Sequence, residues 1–506
     1  RSAAAALRMR VLRERVAALS DQTRRLTRNM SWLMLQEMAV RALGIATAIY
    51  LARVLTPTQY GQLGLALALV AILSKLVEAG TGSRATRLTA IDAGSVRETY
   101  AQITGMRLTV AGLLMALLVG AAPLLGSTFY FPPLLIMLCA FLLVRPALAV
   151  FWAFRGLEKM HVNAAAVIGE RLVAFVGLIL LVDSGEQALL WIPVVEAAAA
   201  LLMVIWLRRQ LSQLYPRLRV GMRLSEWPAI ARESLPLSLA AVLGAVYLHG
   251  AVLLLGWAAN PEGAADFLIA QKLMLTLAVL WQVMSRSVFP SASRLLVTDT
   301  PAALALVADL LRYYLAAIIG LALLLGLFAE QVLALLFGAN YAGAAPVLQL
   351  LLAALPCLAI SHSLLTLLRA RPLPRAVLAG RICSAAVLLS VAAFTVSEHG
   401  AIGAAWAVLC GEVSAMLLLG YLAARAFGAL PWNSRCNAVV IAGAAAALTF
   451  LLASGIAQIA AILFALFTYG GLLLLLGGIS RQELRQLPVL AAFLLHQRHT
   501  AGRWRQ

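Results

Sequence analysis

Fourteen stretches of roughly 20 predominantly apolar residues constrain this chain more than any motif in it, because a run of that length crosses the hydrocarbon core of a bilayer as one α-helix. They fall at about residues 30–53, 61–83, 107–126, 131–154, 163–183, 188–207, 233–257, 265–287, 305–328, 343–367, 376–396, 401–424, 438–455 and 458–478. Most breaks between them carry turn chemistry, among them Thr56-Pro57-Thr58, Asn260-Pro261-Glu262-Gly263, Gly338-Ala339-Asn340 and Glu398-His399-Gly400. The expected fold class is therefore all-α, a polytopic integral membrane protein of about 14 transmembrane helices. Composition excludes the alternatives. The chain is 63% hydrophobic and 12% charged, whereas soluble domains hold about 45–50% apolar and 25% charged residues, and disorder needs the opposite bias.

The formal charge of +19, from 40 Lys and Arg against 21 Asp and Glu, would suggest nucleic acid on a soluble chain. Here the cations alternate with the segments. The regions on one side of the expected membrane carry 32 of the 40, while the opposite turns carry acids, including Asp183, Glu262, Asp266, Glu330 and Glu398, apart from Arg53 at the end of the first segment. The positive-inside rule then puts both termini in the cytoplasm, and no nucleic-acid partner is needed to explain the excess.

The expected organisation is a basic cytoplasmic tail at 1–29, a first lobe of six helices at 30–207, and a cytoplasmic linker at 208–232. A second lobe follows at 233–426, then two further helices at 427–478 and a basic tail at 479–506. The linker, with Leu214, Leu218, Leu224, Trp227 and Ile230 among Arg217, Arg219 and Arg223, reads equally as an interfacial amphipathic helix or as a plain connector. The N-terminal tail reads as a basic helix rather than a cleavable signal peptide. Five scattered cysteines show neither CxxC nor metal spacing, so no disulfide framework, metal site or cofactor is expected. The absence of GxxxxGK[ST] disfavours a nucleotide-driven pump, and the short outer loops, without paired carboxylates, disfavour a membrane polymerase or ligase. No catalytic residues are assigned.

Helices one to six and seven to twelve share landmarks. The turn at Thr56-Pro57 corresponds to Asn260-Pro261, Pro133-Leu134-Leu135 to Pro346-Val347-Leu348, Arg155 to Arg369 and Gly169 to Gly380, at offsets of 204, 213, 214 and 211 residues. Because each half has an even number of helices, the two are parallel repeats about an axis along the membrane normal.

Ionisable groups inside hydrocarbon are costly and usually face a cavity or a partner. Arg41 lies near the middle of the first segment, and Lys75, Arg145 and Arg171 lie toward the cytoplasmic ends of the second, fourth and fifth. Lys272 adds a cation in the outer half of the eighth. Glu37, Glu78, Glu170, Glu196 and Glu412 are the accompanying acids, for coupling or charge pairing. Helical spacing joins Glu37 to Arg41 and Lys75 to Glu78; Arg145 has no acid within four residues on its own helix. Clustered guanidinium and ammonium groups in a water-poor cavity favour phosphate or pyrophosphate.

Several segments resemble the polysaccharide-transporter family, the O-antigen and exopolysaccharide repeat-unit flippases of the multidrug/oligosaccharidyl-lipid/polysaccharide exporter superfamily. The similar residues are Tyr50-Leu51-Ala52-Arg53-Val54-Leu55-Thr56-Pro57-Thr58-Gln59-Tyr60-Gly61, Phe154-Arg155-Gly156-Leu157-Glu158, Ala270-Gln271-Lys272, Phe289-Pro290-Ser291-Ala292-Ser293-Arg294, and Leu336-Phe337-Gly338-Ala339-Asn340-Tyr341 leading to Ala345-Pro346-Val347-Leu348. The likeness runs over about residues 29–426. It implies two six-helix lobes in a V shape, alternating access, and translocation of undecaprenyl-pyrophosphate-linked oligosaccharide repeat units across the bacterial inner membrane. The head group would meet Arg41, Lys75, Arg145, Arg171 and Lys272 while the lipid tail stays in the bilayer. Polysaccharide polymerase and other assembly proteins are the protein partners it implies. Helices thirteen and fourteen would be either a tail-binding groove or a peripheral appendage. The arginine-rich first-helix motif of lipid II flippases is absent, which disfavours that substrate. Two other readings stand beside this one: a drug or cation antiporter of the same superfamily, which predicts a mainly acidic cavity, and a non-transporting scaffold of a polysaccharide-assembly complex, which predicts internally paired cations.

Reporter fusions test the topology. A cytoplasmic reporter is expected to be active at both termini, and an export-dependent reporter after Glu262 and Glu398; the reverse pattern would overturn the loop-charge reading.

Overall fold

The computed structural model describes residues 2–479 and 483, apart from 130, 184, 186, 259, 372 and 453–457. Within that range, the side chains of residues 2–27, 280, 282–284, 286, 287, 290, 451, 458 and 459 are not described. The side chains of most of the N-terminal tail and nearly all of the C-terminal tail therefore lie outside the described residues. The described residues are mostly helical: α1 (Ser2–Val54), α2 (Pro57–Glu78), α3 (Thr81–Ile91), α4 (Val96–Phe129), α5 (Pro133–Ala140), α6 (Val144–Leu148), α7 (Phe151–Gly156), α8 (Met160–Leu181), α9 (Ala188–Leu214), α10 (Trp227–Trp257), α11 (Pro261–Thr298), α12 (Thr300–Leu327), α13 (Ala329–Phe337), α14 (Ala345–Ala353), α15 (Leu355–Ala370), α16 (Pro374–Phe427), α17 (Ser434–Leu452) and α18 (Gln458–Leu475).

The described residues of every predicted segment fall mainly on these helices; 453–455, at the end of the thirteenth segment, lie outside the described residues. Ten described helical stretches are long and apolar enough to cross a membrane, and one of them, α16, is two segments joined at Gly400, whose φ of 53° and ψ of −128° break the helical path. Glycine tolerates that conformation without a Cβ penalty, so the predicted turn at Glu398-His399-Gly400 appears as a kink inside a continuous element. Across the expected linker, helix α9 continues to Leu214, residues 215–223 are non-helical, and a short 3₁₀ turn at Leu224–Glu226 leads into α10. The Gly221 N–H donates to the Ala101 carbonyl of α4 at 3.0 Å.

Contacts divide the chain into two compact units, 1–268 and 269–506. This division assigns α10 to the first unit, whereas the repeat landmarks place the seventh segment in the second lobe. In the first unit α1 packs on α8, α8 on α9, α9 on α5 and α6, and α2 on α10. At one end of the α1–α8 pair the Tyr50 hydroxyl donates to the Val182 carbonyl at 2.8 Å; at the other, the Trp32 and His161 rings lie 6.5 Å apart. In the second unit α12 touches α14, α15, α17 and α18, so it forms that unit's centre.

Two turns that correspond in the sequence meet in the first unit. Thr56 caps α2 in a capping box with Gln59, Pro57 occupying the first turn. Asn260 caps α11 in the same manner, its Oδ1 accepting from the Gly263 N–H at 2.7 Å. Side-chain caps of this kind satisfy backbone donors that the first helical turn leaves open. Thr58 Oγ1 donates to Glu262 Oε1 at 2.9 Å, and the two backbones approach so closely that a Cβ on Gly61 would stand 1.7 Å from the Pro261 carbonyl oxygen.

The fourth segment is interrupted. A 3₁₀ turn at Phe141–Leu143 separates α5 from α6, and Ala149 is extended (φ −67°, ψ 128°) before α7 begins. Pro146 is the third residue of α6, in the first turn, where a missing N–H removes none of that helix's own hydrogen bonds. The buried Arg107 of α4 spans the break, donating from Nη1 to the Pro146 carbonyl at 3.3 Å and from Nε to Thr81 Oγ1 at 2.9 Å. In the second unit α14 and α15 meet at Ala354, which keeps helical angles (φ −75°, ψ −18°), two residues before Pro356. Pro146 and Pro356 are 210 residues apart, an offset inside the range of the other repeat landmarks.

The close turn gives a direct test. Gly61→Ala is expected to cost about 1–3 kcal/mol through overpacking and to lower the thermal aggregation midpoint of the detergent-solubilised protein. Gly44→Ala, whose added methyl meets nothing within 4 Å, is expected to leave it unchanged; equal midpoints for the two variants would contradict the contact.

Candidate functional site

The four cations of the first unit singled out in the sequence each face a carboxylate. On α1, Arg41 Nε donates to Glu37 Oε1 at 2.8 Å, with Nη2 2.7 Å from the same oxygen. At the end of α2, Lys75 Nζ lies 3.2 Å from Glu78 Oε2. These are the two pairs that helical spacing predicts.

The other two cations find partners on neighbouring helices. Arg145 of α6 meets Glu170 of α8 side-on, with Nε 2.6 Å from Oε1 and Nη2 donating to Oε2 at 2.9 Å. Arg171 Nη1 of α8 donates to Glu196 Oε2 of α9 at 3.3 Å. Glu170 and Arg171 are adjacent in sequence and therefore about 100° apart around the helix, so one reaches the fourth segment and the other the sixth. The sequence suggested no partner for Arg145 because its acid is 25 residues away, on a helix that only the packed fold brings alongside.

The pairs differ in how they are exposed. Arg41 and Glu37 share their exposure almost evenly, at 29% and 33%, as do Lys75 and Glu78 at 40% and 41%. For Arg145 and Glu170 the values are 33% and 2%, and for Arg171 and Glu196 38% and 19%. In the second type the carboxylate is the inner member and the guanidinium the outer. An approaching anion meets the guanidinium while the buried carboxylate holds that group in place. A planar guanidinium with N–H groups directed at two oxygens suits a phosphate as well as a carboxylate. The first type neutralises itself without offering either sign.

Lys272 and Glu412 belong to the second unit. Lys272 is exposed on α11 and its carbonyl accepts from Thr276 Oγ1 at 2.8 Å; Glu412 is buried in α16.

Two buried arginines escaped the sequence reading. Arg107 counts there as a cytoplasmic loop cation, yet it is 5% exposed and braces the interrupted fourth segment. Arg312 is the only Lys or Arg of the ninth segment, a signal that its isolation in an apolar stretch provides. It is 2% exposed, and its Nη2 donates to Glu483 Oε1 at 2.9 Å while Nη1 donates to the Gly478 carbonyl at 3.3 Å. The Tyr313 hydroxyl donates to the same carboxylate at 2.7 Å, and Arg435 lies 3.7 Å from it. This cluster fastens the segment that follows α18 to α12.

No curated protein matches the sequence. Residues 26–296 match the family described as polysaccharide biosynthesis protein. Among solved structures, the fold is similar to that of the lipid II flippase MurJ in an inward closed conformation, with a TM-score of 0.72 at 12% identity over 87% of this chain and 98% of that one. It is also similar to an inward-facing multidrug resistance MATE family transporter of the MOP superfamily, with a TM-score of 0.62 at 14% identity over 79% of this chain and 98% of that one. A third similar structure is a MOP superfamily transporter from Pyrococcus furiosus, with a TM-score of 0.56 at 14% identity over 81% of this chain and 96% of that one; its binding pocket is described as having reverse polarity that suggests a different function. With more than half of its residues matched, the chain belongs to the polysaccharide biosynthesis protein family, and its fold is the one seen in MurJ and the MATE transporters.

Proposed function

We propose that this membrane transporter is a flippase for undecaprenyl-pyrophosphate-linked oligosaccharide repeat units. It moves them from the inner to the outer leaflet of the bacterial inner membrane by alternating access, with both termini in the cytoplasm. Family membership supports a role in polysaccharide assembly, and the fold supports transport rather than catalysis. The observation that carries the choice of an anionic substrate is the exposure asymmetry of Arg145–Glu170 and Arg171–Glu196. Each pair presents its cation and hides its acid. Arg145 and Arg171 are the principal pyrophosphate ligands in this reading, and Arg41, Lys75 and Lys272 line the path.

Complete internal pairing of the four cations favours a second reading, the non-transporting scaffold. It makes the pairs structural braces between helices and nothing more. A drug antiporter is less well supported, because no acid of these pairs is more exposed than its partner by any wide margin.

Translocation of a pyrophosphate-linked lipid oligosaccharide in proteoliposomes separates the readings. Arg145→Ala alone leaves Glu170 buried without its partner, at a cost of about 3–5 kcal/mol, so the double variant Arg145→Gln with Glu170→Gln is the cleaner probe. It is expected to fold and to translocate about tenfold or more slowly, as loss of one charge-assisted ligand set implies. The double variant Arg41→Gln with Glu37→Gln is expected to lose less. Wild-type activity in the Arg145 double variant would remove that site, and absence of translocation by well-folded wild type with any such lipid would remove the flippase reading.

A further inference from the structure

A cavity of about 320 Å³ lies between α5–α6 and α9, within the first unit. Eleven residues line it, and ten of them are apolar, including Leu138, Phe141, Val194, Ala198 and Leu201. The eleventh is Arg145. No hydroxyl or amide side chain lines it, so a sugar placed there would leave its own polar groups unsatisfied, at a cost of a few kcal/mol each. Hydrocarbon incurs no such cost. The volume is at the low end of the roughly 300–1,000 Å³ of ordinary ligand pockets, enough for part of one chain and too small for a two-chained lipid or an oligosaccharide.

The cavity is polarised along its length. It extends along α9 from Pro193 to Val204, about 16 Å at 1.5 Å per residue. Arg145 is twelve residues past Pro133 and Leu201 thirteen past Ala188, which sets the guanidinium toward the inner end in the topology proposed above. The apolar lining extends outward from it. A lipid-linked phosphate drawn from the cytoplasmic side to mid-membrane would have this polarity, phosphate inward and chain outward. Arg145 also stands eleven residues from Gly156 at the end of α7, about 16 Å by the same rise, deeper than the phosphate of an undisturbed bilayer lipid.

We infer that this groove receives the phosphate-proximal part of a single lipid chain, with Arg145 taking the phosphate nearest the chain. The inference rests on the reading of Arg145 as a pyrophosphate ligand and adds the place of the chain. The 3₁₀ turn that follows α5 contributes Phe141 to the lining, and α6 contributes Val144 and Arg145.

The test is photolabelling of the full-length protein in neutral-lipid nanodiscs by an isoprenyl pyrophosphate carrying a diazirine on its chain, with labelled peptides mapped by mass spectrometry. Label is expected on residues 138–145 and 193–204, falling about tenfold, or 1.4 kcal/mol, in Ala198→Trp and in Leu201→Trp. Both positions are exposed, so the bulky side chain fills the groove without entering the core. Leu180→Trp, exposed on α8 away from the groove, is expected to label as wild type does. Label confined to other segments, or unchanged in both groove variants, overturns the groove and leaves Arg145 as a ligand untouched. Label that the groove variants abolish but that is equal for the matching isoprenyl alcohol, or unchanged in the Arg145→Gln, Glu170→Gln protein, overturns the phosphate assignment and with it the reading of Arg145.

Discussion

A charge that enters hydrocarbon must bring its counter-charge with it, and the first unit is arranged around that requirement. Even on lenient insertion scales an isolated cation at mid-membrane costs about 2.5–3.5 kcal/mol, whereas a guanidinium held by a carboxylate enters as a neutral unit. Two of the four pairs close within a single helix and demand nothing of the fold. The other two close between helices, and adjacent residues of α8 supply one member of each. Together they fix the rotation of α8 about its axis, since turning it by one residue would set Arg171 against Arg145 and Leu172 against Glu196, or Gly169 against Arg145 and Glu170 against Glu196. Breaking a buried pair is more costly than forming it is favourable, so the pairs act mainly as a constraint on register.

Function then depends on which member of a pair faces outward. In the proposed reading, Glu170 buried behind Arg145 leaves a surface that attracts anions, and the apolar cavity beside it favours anions that carry a hydrocarbon chain. The 3₁₀ turn of the fourth segment brings Phe141 to the cavity, and the extended Ala149 leaves the Pro146 carbonyl to Arg107. The family-like motif residues have a different task. Gly61 admits the backbone of Pro261, and Gly156 packs α7 against Thr89 of α3, where a Cβ would lie 2.6 Å from the threonine Cβ. Both glycines are places where two helices approach too closely for a side chain.

What could be read from the sequence follows the range of the interactions involved. The segments and their turns were legible because hydropathy and capping are local; Thr56, Pro57, Asn260 and Pro261 announce their helices within four residues. The pairs Glu37–Arg41 and Lys75–Glu78 were legible for the same reason. Arg145 and Arg171 were recognisable as cations within apolar segments, but their partners depend on α6, α8 and α9 lying side by side, which no local pattern encodes. Arg107 misled because its position at a segment boundary reads as a loop cation, while its burial comes from a carbonyl exposed by a helix break elsewhere. The linker was ambiguous because apolar and basic residues alternate through it; Pro216 and Gly221, which interrupt any helix there, were the informative residues.

The central claim is that the orientation of the Arg145–Glu170 pair, and not merely its existence, carries function. Exchanging the two residues, Arg145→Glu with Glu170→Arg, keeps the ion pair and inverts which charge is exposed. With folding verified by thermal stability, the account predicts that the exchanged protein loses translocation of pyrophosphate-linked lipid oligosaccharide in proteoliposomes to at least the extent of the neutral double variant. Restoration of wild-type translocation by the exchange would contradict it, and would make the pair a brace alone.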